Sequence, residues 1–413
     1  MQQHRLSGID RRQSASVCGA YERLMEYDVI VVGAGPTRLA LVRGLAGTGL
    51  SVALVERQSL TALADPGCDG REIALTHRSI ETLRALGAWE LITPAAVSTL
   101  RSASVLDGTS SFELPFGTAG LREDHLGKLV ANHHIRRALF AATAGQAELT
   151  VFAGTGMAAI STARAGASVT LEDGRTLRGR LLVAADSRFS DVRTRLGIAA
   201  RVNRPGRSML LAEVEHDRDH HGVATEWFGH GQTIALLPLT GRRSSVVLTL
   251  AEDRIAQLAA RSPAALSDEL TRRSGERLGM MRMTGRPHIY PLATTWSEHF
   301  AATRAALIGD AAVGMHPVTA HGFNLGLRSA VSLAGLVARA AAQGRDIGAL
   351  SLLLRYEVGH RLVAAPLFAA TGFIVRLYTD DHLPARLARP VLMRAAGHMS
   401  PLRQGVSQML MQR

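Results

Sequence analysis

Cysteine is nearly missing from this chain: Cys18 and Cys68 are the only two in 413 residues. Their number and spacing make neither a disulfide framework nor a metal site, which excludes a small secreted scaffold and points to a reducing compartment. Lysine is rarer still, Lys128 standing alone beside many arginines, and the net charge is +12. Those arginines are dispersed, so they read either as a bias in residue usage or as attraction to anionic cofactors or a membrane surface. Aromatic residues are only 4% of the chain, and no basic run is interleaved with them, which excludes a nucleic-acid stacking platform. No window reaches the apolar length that spans a bilayer, and no signal peptide opens the chain. Paired carboxylates, a Ser/His/Asp set, HExxH and CxxC are all missing, so hydrolysis has no candidate residues and no metal site is expected. The expectation is a cytoplasmic protein, at most peripheral to a membrane.

What is present reads as a globular α/β protein of two or three domains. Residues 1–25 are polar and aperiodic and read as a disordered extension, with Met25 a possible alternative start. Tyr27–Val32 is a continuous apolar run, as a strand buried on both faces requires. The glycine-rich turn Gly33-Ala34-Gly35-Pro36 follows, then a helix over 39–46 and a strand over Ser51–Val55, which completes a βαβ unit. An amphipathic helix is expected over Ser79–Leu86. Alternation around Asp107-Gly108 predicts a hairpin, helical spacing returns at Ile135–Ala142, and a strand follows at Leu149–Ala153. Glu172-Asp173-Gly174-Arg175 predicts a second hairpin. Residues 201–300 are mostly β-like, with a helical interlude over 263–272. The end of the chain is helical, with breaks expected at Pro366, Pro384, Pro390 and Pro401. The expected fold is therefore a Rossmann-like domain with a parallel sheet (26–95, 126–200 and 301–350). It is interrupted by a β-rich substrate domain (96–125 and 201–300) and followed by a C-terminal helical segment (351–413).

Two stretches carry chemistry. Gly33 and Gly35, after a buried strand and before a helix, meet the context of a dinucleotide fingerprint: the first permits the tight turn, the second lets backbone approach a pyrophosphate at a helix N-terminus. Glu56 ends the next strand, where a carboxylate accepts from a ribose hydroxyl. Gly47-Thr48-Gly49 and Gly154-Thr155-Gly156 lack that context and read as turns. Arg38 stands where a small third residue normally allows close packing; its side chain is expected to point outward or to displace the helix, and to weaken cofactor binding. Far along the chain, Leu307–Ala330 (LIGDAAVGMHPVTAHGFNLGLRSA) places an acid, Asp310, at a strand tip and free backbone N–H groups at the helix opened by Gly322-Phe323-Asn324.

GAGP with VERQ, Asp186 in LLVAADSRFSDVRTRLG, and GDAAVGMHPVTAHGFNLGLR together resemble the flavin-dependent aromatic hydroxylases typified by p-hydroxybenzoate hydroxylase. The similarity spans Glu26 to Arg361. Within that group the chain looks most like the hydroxylases of ubiquinone biosynthesis, and the wording VTAHGFN like their demethoxyubiquinol-hydroxylase branch. The resemblance implies FAD, with NAD(P)H as transient reductant and O2 as co-substrate, and a flavin C4a-hydroperoxide that oxygenates an electron-rich ring. It implies a hydrophobic aromatic substrate, a polyprenylated phenol or quinol, and other ubiquinone-biosynthesis proteins as partners. It places Gly33, Gly35 and Pro36 at the pyrophosphate, Glu56 at the adenosine ribose, and Arg57 and Arg71 along the phosphates and ribityl chain. Gly309 and Asp310 would hold a ribityl hydroxyl, Pro317 would line the flavin, and Gly322, Phe323 and Asn324 would offer N–H groups to its N1/C2 edge. Asn132 would approach the ribityl chain and Asp186 the adenosine or nicotinamide side. Ser187, where the family usually has glycine, puts a nicotinamide contact in doubt. His321, in place of a usual glutamine, is either a loop histidine bonded to backbone or a catalytic polar group over the flavin. Trp227, Phe228 and Tyr290 either face the ring substrate or belong to the core. A reductase or oxidase acting on an isoprenoid, and a non-catalytic scaffold, are the alternatives. The C-terminal segment either borders an apolar path for an isoprenoid tail, lies on a membrane surface, or packs as an ordinary helix.

Overall fold

The computed structural model describes residues 24–108, 112–118, 123–229, 231–317 and 321–379. Residues 1–23 of the expected extension, Cys18 among them, and Pro384, Pro390 and Pro401 lie outside them, while Leu24 and Met25, expected at the end of that extension, belong to the first strand. At the centre stands the strand Leu24–Val32, whose residues Val29 to Val32 are buried. It pairs in parallel with Val52–Glu56 on one side and Thr176–Ala184 on the other. Leu149–Ala153 and Ala305–Leu307 extend the sheet outward, again in parallel. Such strands must be covered on both faces, which is why they read as unbroken apolar runs rather than alternating ones. Both expected hairpins form, Ser102–Asp107 with Glu113–Phe116 and Gly166–Leu171 with Thr176–Ala184.

A second large sheet runs in the order 281–283, 207–216, 243–251, 232–238, 223–229, 102–107, 113–116, with 288–291 added beside 207–216. Leu210, Val214, Ile234, Leu236, Val246 and Leu248 fill one of its faces beneath the helices Glu252–Ala259 and Pro263–Arg273. The single helical interlude expected there is thus a helix pair. Val97–Leu100 pairs instead with Gly127–Ala131, in a small sheet that also holds Glu72–Leu75.

Two expectations about the C-terminal third are corrected. The helix Leu350–Thr379 continues unbroken through Pro366; burial of Tyr356, His360, Ala364 and Leu367 along one side outweighs the hydrogen bond the proline removes. Two helices also have the length and composition to cross a membrane: Gly322–Ala342, whose apolar 18-residue window is half buried in the protein, and Leu350–Leu377, whose window is only 22% buried. Their apolar character is carried by alanine, glycine and leucine with arginines interspersed, so no charge-free run marks them in the sequence.

Candidate active site

The site begins where the parallel strands end. Gly33 has φ +94°, which only glycine adopts without strain, and Gly35 precedes the helix Pro36–Gly44, whose first residue is proline. Glu56, at the tip of the neighbouring strand, accepts from the Ala34 N–H at 2.5 Å and from the Gln58 N–H at 3.0 Å. It therefore braces the glycine turn as well as standing beside it.

The distant stretch returns to this turn. Thr37 sits between two glycines of that stretch: a Cβ on Gly309 would meet Thr37 Cγ2 at 3.1 Å, and one on Gly326 would meet Thr37 Oγ1 at 2.7 Å. About two turns further along the same two helices, a Cβ on Gly44 would lie 3.0 Å from Ala334 Cβ. Contacts at 37/326 and again at 44/334 mean that the helices Pro36–Gly44 and Gly322–Ala342 run side by side in the same direction. Their N-termini open at one end, over the carboxyl ends of the parallel strands. That is where open α/β sheets bind ligands, and two positive dipole ends together favour an anion.

Acids ring the crevice. Glu56, Asp186 and Asp310 each lie at or just past a strand tip, and all three act electrostatically on Arg38. Arg38 does not point outward: it is 9% exposed, and its guanidinium folds back over the glycine turn. A Cβ on Gly33 would stand 2.5 Å from Arg38 Cζ and one on Gly35 3.1 Å from Nη1. Arg38 Nε has no hydrogen-bond partner, and burial pulls the guanidinium below its ordinary pKa against the raising effect of the acids. The helix needs no displacement because the side chain uses the open space above the glycines.

Asp186 spends its carboxylate on the Ser190 hydroxyl at 2.5 Å and the N–H groups of Asp191 and Val192, capping the helix Asp191–Arg195. Ser187 closes a local turn by accepting from the Phe189 N–H. Asp310, in a tight turn after Ala305–Leu307, pairs with Arg188 at 2.9 Å; Arg188 also donates to the Ala293 carbonyl. Sequence reasoning passed over Arg188, although it sits two residues after Asp186. Arg57, next to Glu56, is 70% exposed at its side chain and pairs with Glu172.

A second cluster forms around Asp69. Arg71 pairs with Asp69 at 2.6 Å, Asn132 Nδ2 donates to it at 2.7 Å, and the Tyr290 hydroxyl donates to its carbonyl at 2.8 Å. Arg71 and its hydrogen bonds hold the Asp69 carboxyl below its usual range despite burial. Asn324, buried on the Gly322–Ala342 helix, donates to the Ala74 carbonyl at 2.8 Å and accepts from the Thr76 N–H. His321 is buried immediately before that helix, Phe323 packs partly into the core, and Pro317 is half-buried. His316 and Phe228 line one small cavity with Arg207, Thr233, Thr249 and Val375. Trp227 occupies the other face of its strand, donates from its indole to the Gly108 carbonyl and packs toward the helix pair. Alternation along a strand forbids both neighbours from facing one pocket, so of the two readings of Trp227, substrate contact or core, the packing has the core one.

Residues 26–371 match the family described as FAD binding domain. The chain belongs to that family. It is 42% identical over 95% of its length to the ubiquinone hydroxylase UbiM of Neisseria meningitidis, 86% of which is covered. It is 36% identical over 91% of its length to the ubiquinone hydroxylase UbiL of Rhodospirillum rubrum, with 87% of that protein covered. Among solved structures, p-nitrophenol 4-monooxygenase PnpA of Pseudomonas putida superposes with a TM-score of 0.76 at 18% identity, over 94% of this chain and 99% of that one. That likeness shows the shared fold. The protein is an FAD-dependent monooxygenase.

The crevice suits FAD in its donors and charges: two helix N-termini, an unpartnered buried cation, and acids at strand tips for hydroxyl groups. One feature opposes it. The Arg38 guanidinium fills the space over Gly33 and Gly35 where backbone would approach a pyrophosphate, so a bound dinucleotide requires that side chain to move.

Proposed function

We propose that this monooxygenase hydroxylates a polyprenylated phenol or quinol in ubiquinone biosynthesis, using NAD(P)H as transient reductant and O2 as co-substrate. The observation that carries the reading is the convergence of the GAGP turn, the Gly309–Asp310 turn and the Gly322 helix on one crevice, in a chain so similar to proteins named ubiquinone hydroxylases. FAD supplies the redox and oxygen chemistry; the protein binds, orients and shields.

In this reading the N–H groups at Gly35 and Pro36's helix hold the phosphates, Glu56 a ribose hydroxyl, and Asp310, steadied by Arg188, a ribityl hydroxyl. Arg71 and Asn132, fixed by Asp69, border the chain between them. Gly322, Phe323 and Asn324 turn a positive helix end toward the ring system, with His321 and Pro317 beside it. Phe228 and Tyr290 look in from the second sheet and close the site against water, which matters because water entry diverts oxygen to peroxide. The long C-terminal helix supports peripheral membrane contact. Leu350, Leu354, Val358, Leu362 and Phe373 are 45–72% exposed and recur at helical spacing, an apolar stripe suited to the surface where an isoprenoid substrate resides.

Two measurements test the proposal. Purified holoenzyme supplied with NAD(P)H, O2 and a prenylated phenol should yield product with one added oxygen. A deletion strain should accumulate the quinone intermediate lacking that hydroxyl, which identifies the ring position. Reoxidation of reduced flavin without oxygen insertion into any ring would favour a reductase or oxidase, and protein that cannot be loaded with FAD would favour a scaffold.

A further inference from the structure

The second sheet turns a carboxylate toward the crevice that the sequence did not single out. Glu226 lies on the strand Val223–Gly229, two residues from Phe228 and so on the same face. Its partners across the sheet are Ala235 and Val105, and those of Phe228 are Thr233 and Asp107. Thr233 pairs in turn with Thr249, and both line the cavity that Phe228 shares with His316. The same face continues to Tyr290, which reaches Asp69, and to His288, which a Cβ on Gly70 would meet at 2.6 Å. This face therefore lies against the crevice, while Trp227 and the apolar core occupy the other.

Glu226 is deep in the protein yet keeps some accessible surface, as a side chain lining an internal cleft does. Its carboxyl is pushed up to about 8 by burial alone. The ionisable groups sharing its face are Asp107, Arg207, Glu213, His288 and Tyr290, with His316 opposite, and none of them contributes to that shift. A second acid of the cleft, Glu72, is also raised to about 8, but there Glu213 and Asp69 add like-charge repulsion to burial. Glu226 is the one whose proton affinity has no charged neighbour to explain it, and an unpaired carboxylate in such a place is costly without a function.

Resting on the ring-hydroxylase reading above, we infer that Glu226 is the proton acceptor for the ring hydroxyl of the substrate. The phenolic O–H bond breaks, the proton passes to a Glu226 carboxylate oxygen, and the electron pair stays on the ring oxygen. The resulting phenolate is a stronger nucleophile at the carbon that takes up oxygen. The ring regains aromaticity when the oxygenated carbon loses its hydrogen as a proton to water and the proton held on Glu226 returns to the ring oxygen, so beyond the NAD(P)H and O2 already named no oxidant or reductant is needed. A base with a pKa near the operating pH is the efficient choice for this transfer.

The test compares wild-type holoenzyme with Glu226→Gln, Glu226→Asp and Glu72→Gln, with a prenylated phenol as probe. In the wild type, kcat/KM should rise with pH through about 8, as the acceptor becomes carboxylate. Glu226→Gln should lose that limb and about 10²–10⁴-fold of rate, while keeping its bound FAD; Glu226→Asp should recover part of the limb. Glutamine mimics the protonated acid, so its thermal midpoint should exceed the wild type's by a margin that widens as pH rises from 4.5 toward 8, since over that window the unfolded wild type gives up a proton that the folded protein keeps. A limb that persists in Glu226→Gln, or disappears in Glu72→Gln instead, overturns the assignment. Wild-type enzyme that hydroxylates no ring probe overturns it together with the reading on which it rests.

Discussion

Arg38 offers the sharpest perturbation. Its guanidinium lies over Gly33 and Gly35, nine-tenths buried, with Nε unpartnered and three acids around it. FAD and this side chain compete for one space, so the observed affinity is the intrinsic one reduced by the work of moving the guanidinium. A coupling of that kind between two occupants is worth about 1–3 kcal/mol, or roughly 5–150-fold. Arg38→Gly should therefore tighten FAD by about that factor. Glycine costs the helix about 1 kcal/mol relative to a good helix former, but the loss falls on free and bound protein alike and cancels from the affinity. Arg38→Ala, free of that cost, should tighten FAD to a similar degree, and both should gain thermal stability without FAD because a desolvated cation has gone. The assay is a titration of stripped protein with FAD, followed by flavin fluorescence. If both variants bind FAD no better than the wild type, the guanidinium is a clamp on the phosphates and the competition argument fails.

Three further outcomes follow from packing and charge. Tyr356→Phe removes the hydroxyl that donates to the Leu307 carbonyl at 2.8 Å, leaving that buried acceptor unpaired; thermal or denaturant unfolding should show a loss of about 1–3 kcal/mol, and an unchanged midpoint would count against the bond. His316 and His360 are each pushed down from 6.5 to about 4 by burial, aided by Arg188 and Arg207 near the first and Arg328 near the second. Above pH 6.5 they are neutral folded or unfolded; as pH falls from 6.5 to about 4 only the unfolded chain takes up protons, so stability drops across that window. His316→Gln should flatten the slope. Val358→Asp with Leu362→Asp, at positions 58% and 72% exposed, should leave stability within about 0.5 kcal/mol yet reduce sedimentation with anionic lipid vesicles; equal sedimentation would remove the helix from membrane contact.

The βαβ unit was legible because its strands are buried on both faces and its turn needs Gly33, features that local composition displays. The same holds for the hairpins at Asp107-Gly108 and Glu172–Arg175. That the Gly33 turn and the Gly322 helix meet was legible through the resemblance, which puts both at one cofactor, but the individual contacts were not: nothing near Thr37 announces that it will lie between Gly309 and Gly326. Trp227 and Phe228 were read together although strand alternation sends them opposite ways; which of them faces the crevice depends on which side the helix pair covers. Arg38 was recognised as a departure, but its direction was set by open space above two glycines, which the sequence does not show. Pro366 was misread because a local breaker was weighed without the packing of Tyr356, His360 and Leu367 that overrides it. Glu226 and Arg188 carried no motif; only sheet register and the Asp310 pair reveal them.

Thr37 reaching Gly326 has a bearing on biosynthesis. While the chain is still being made, the turn at Gly33 emerges early, but its partners at Gly309 and Gly326 emerge only near the end. No binding cleft exists on the nascent polypeptide until the Gly322–Ala342 helix has cleared the ribosome and docked beside Pro36–Gly44. Cofactor capture is then a late event of maturation.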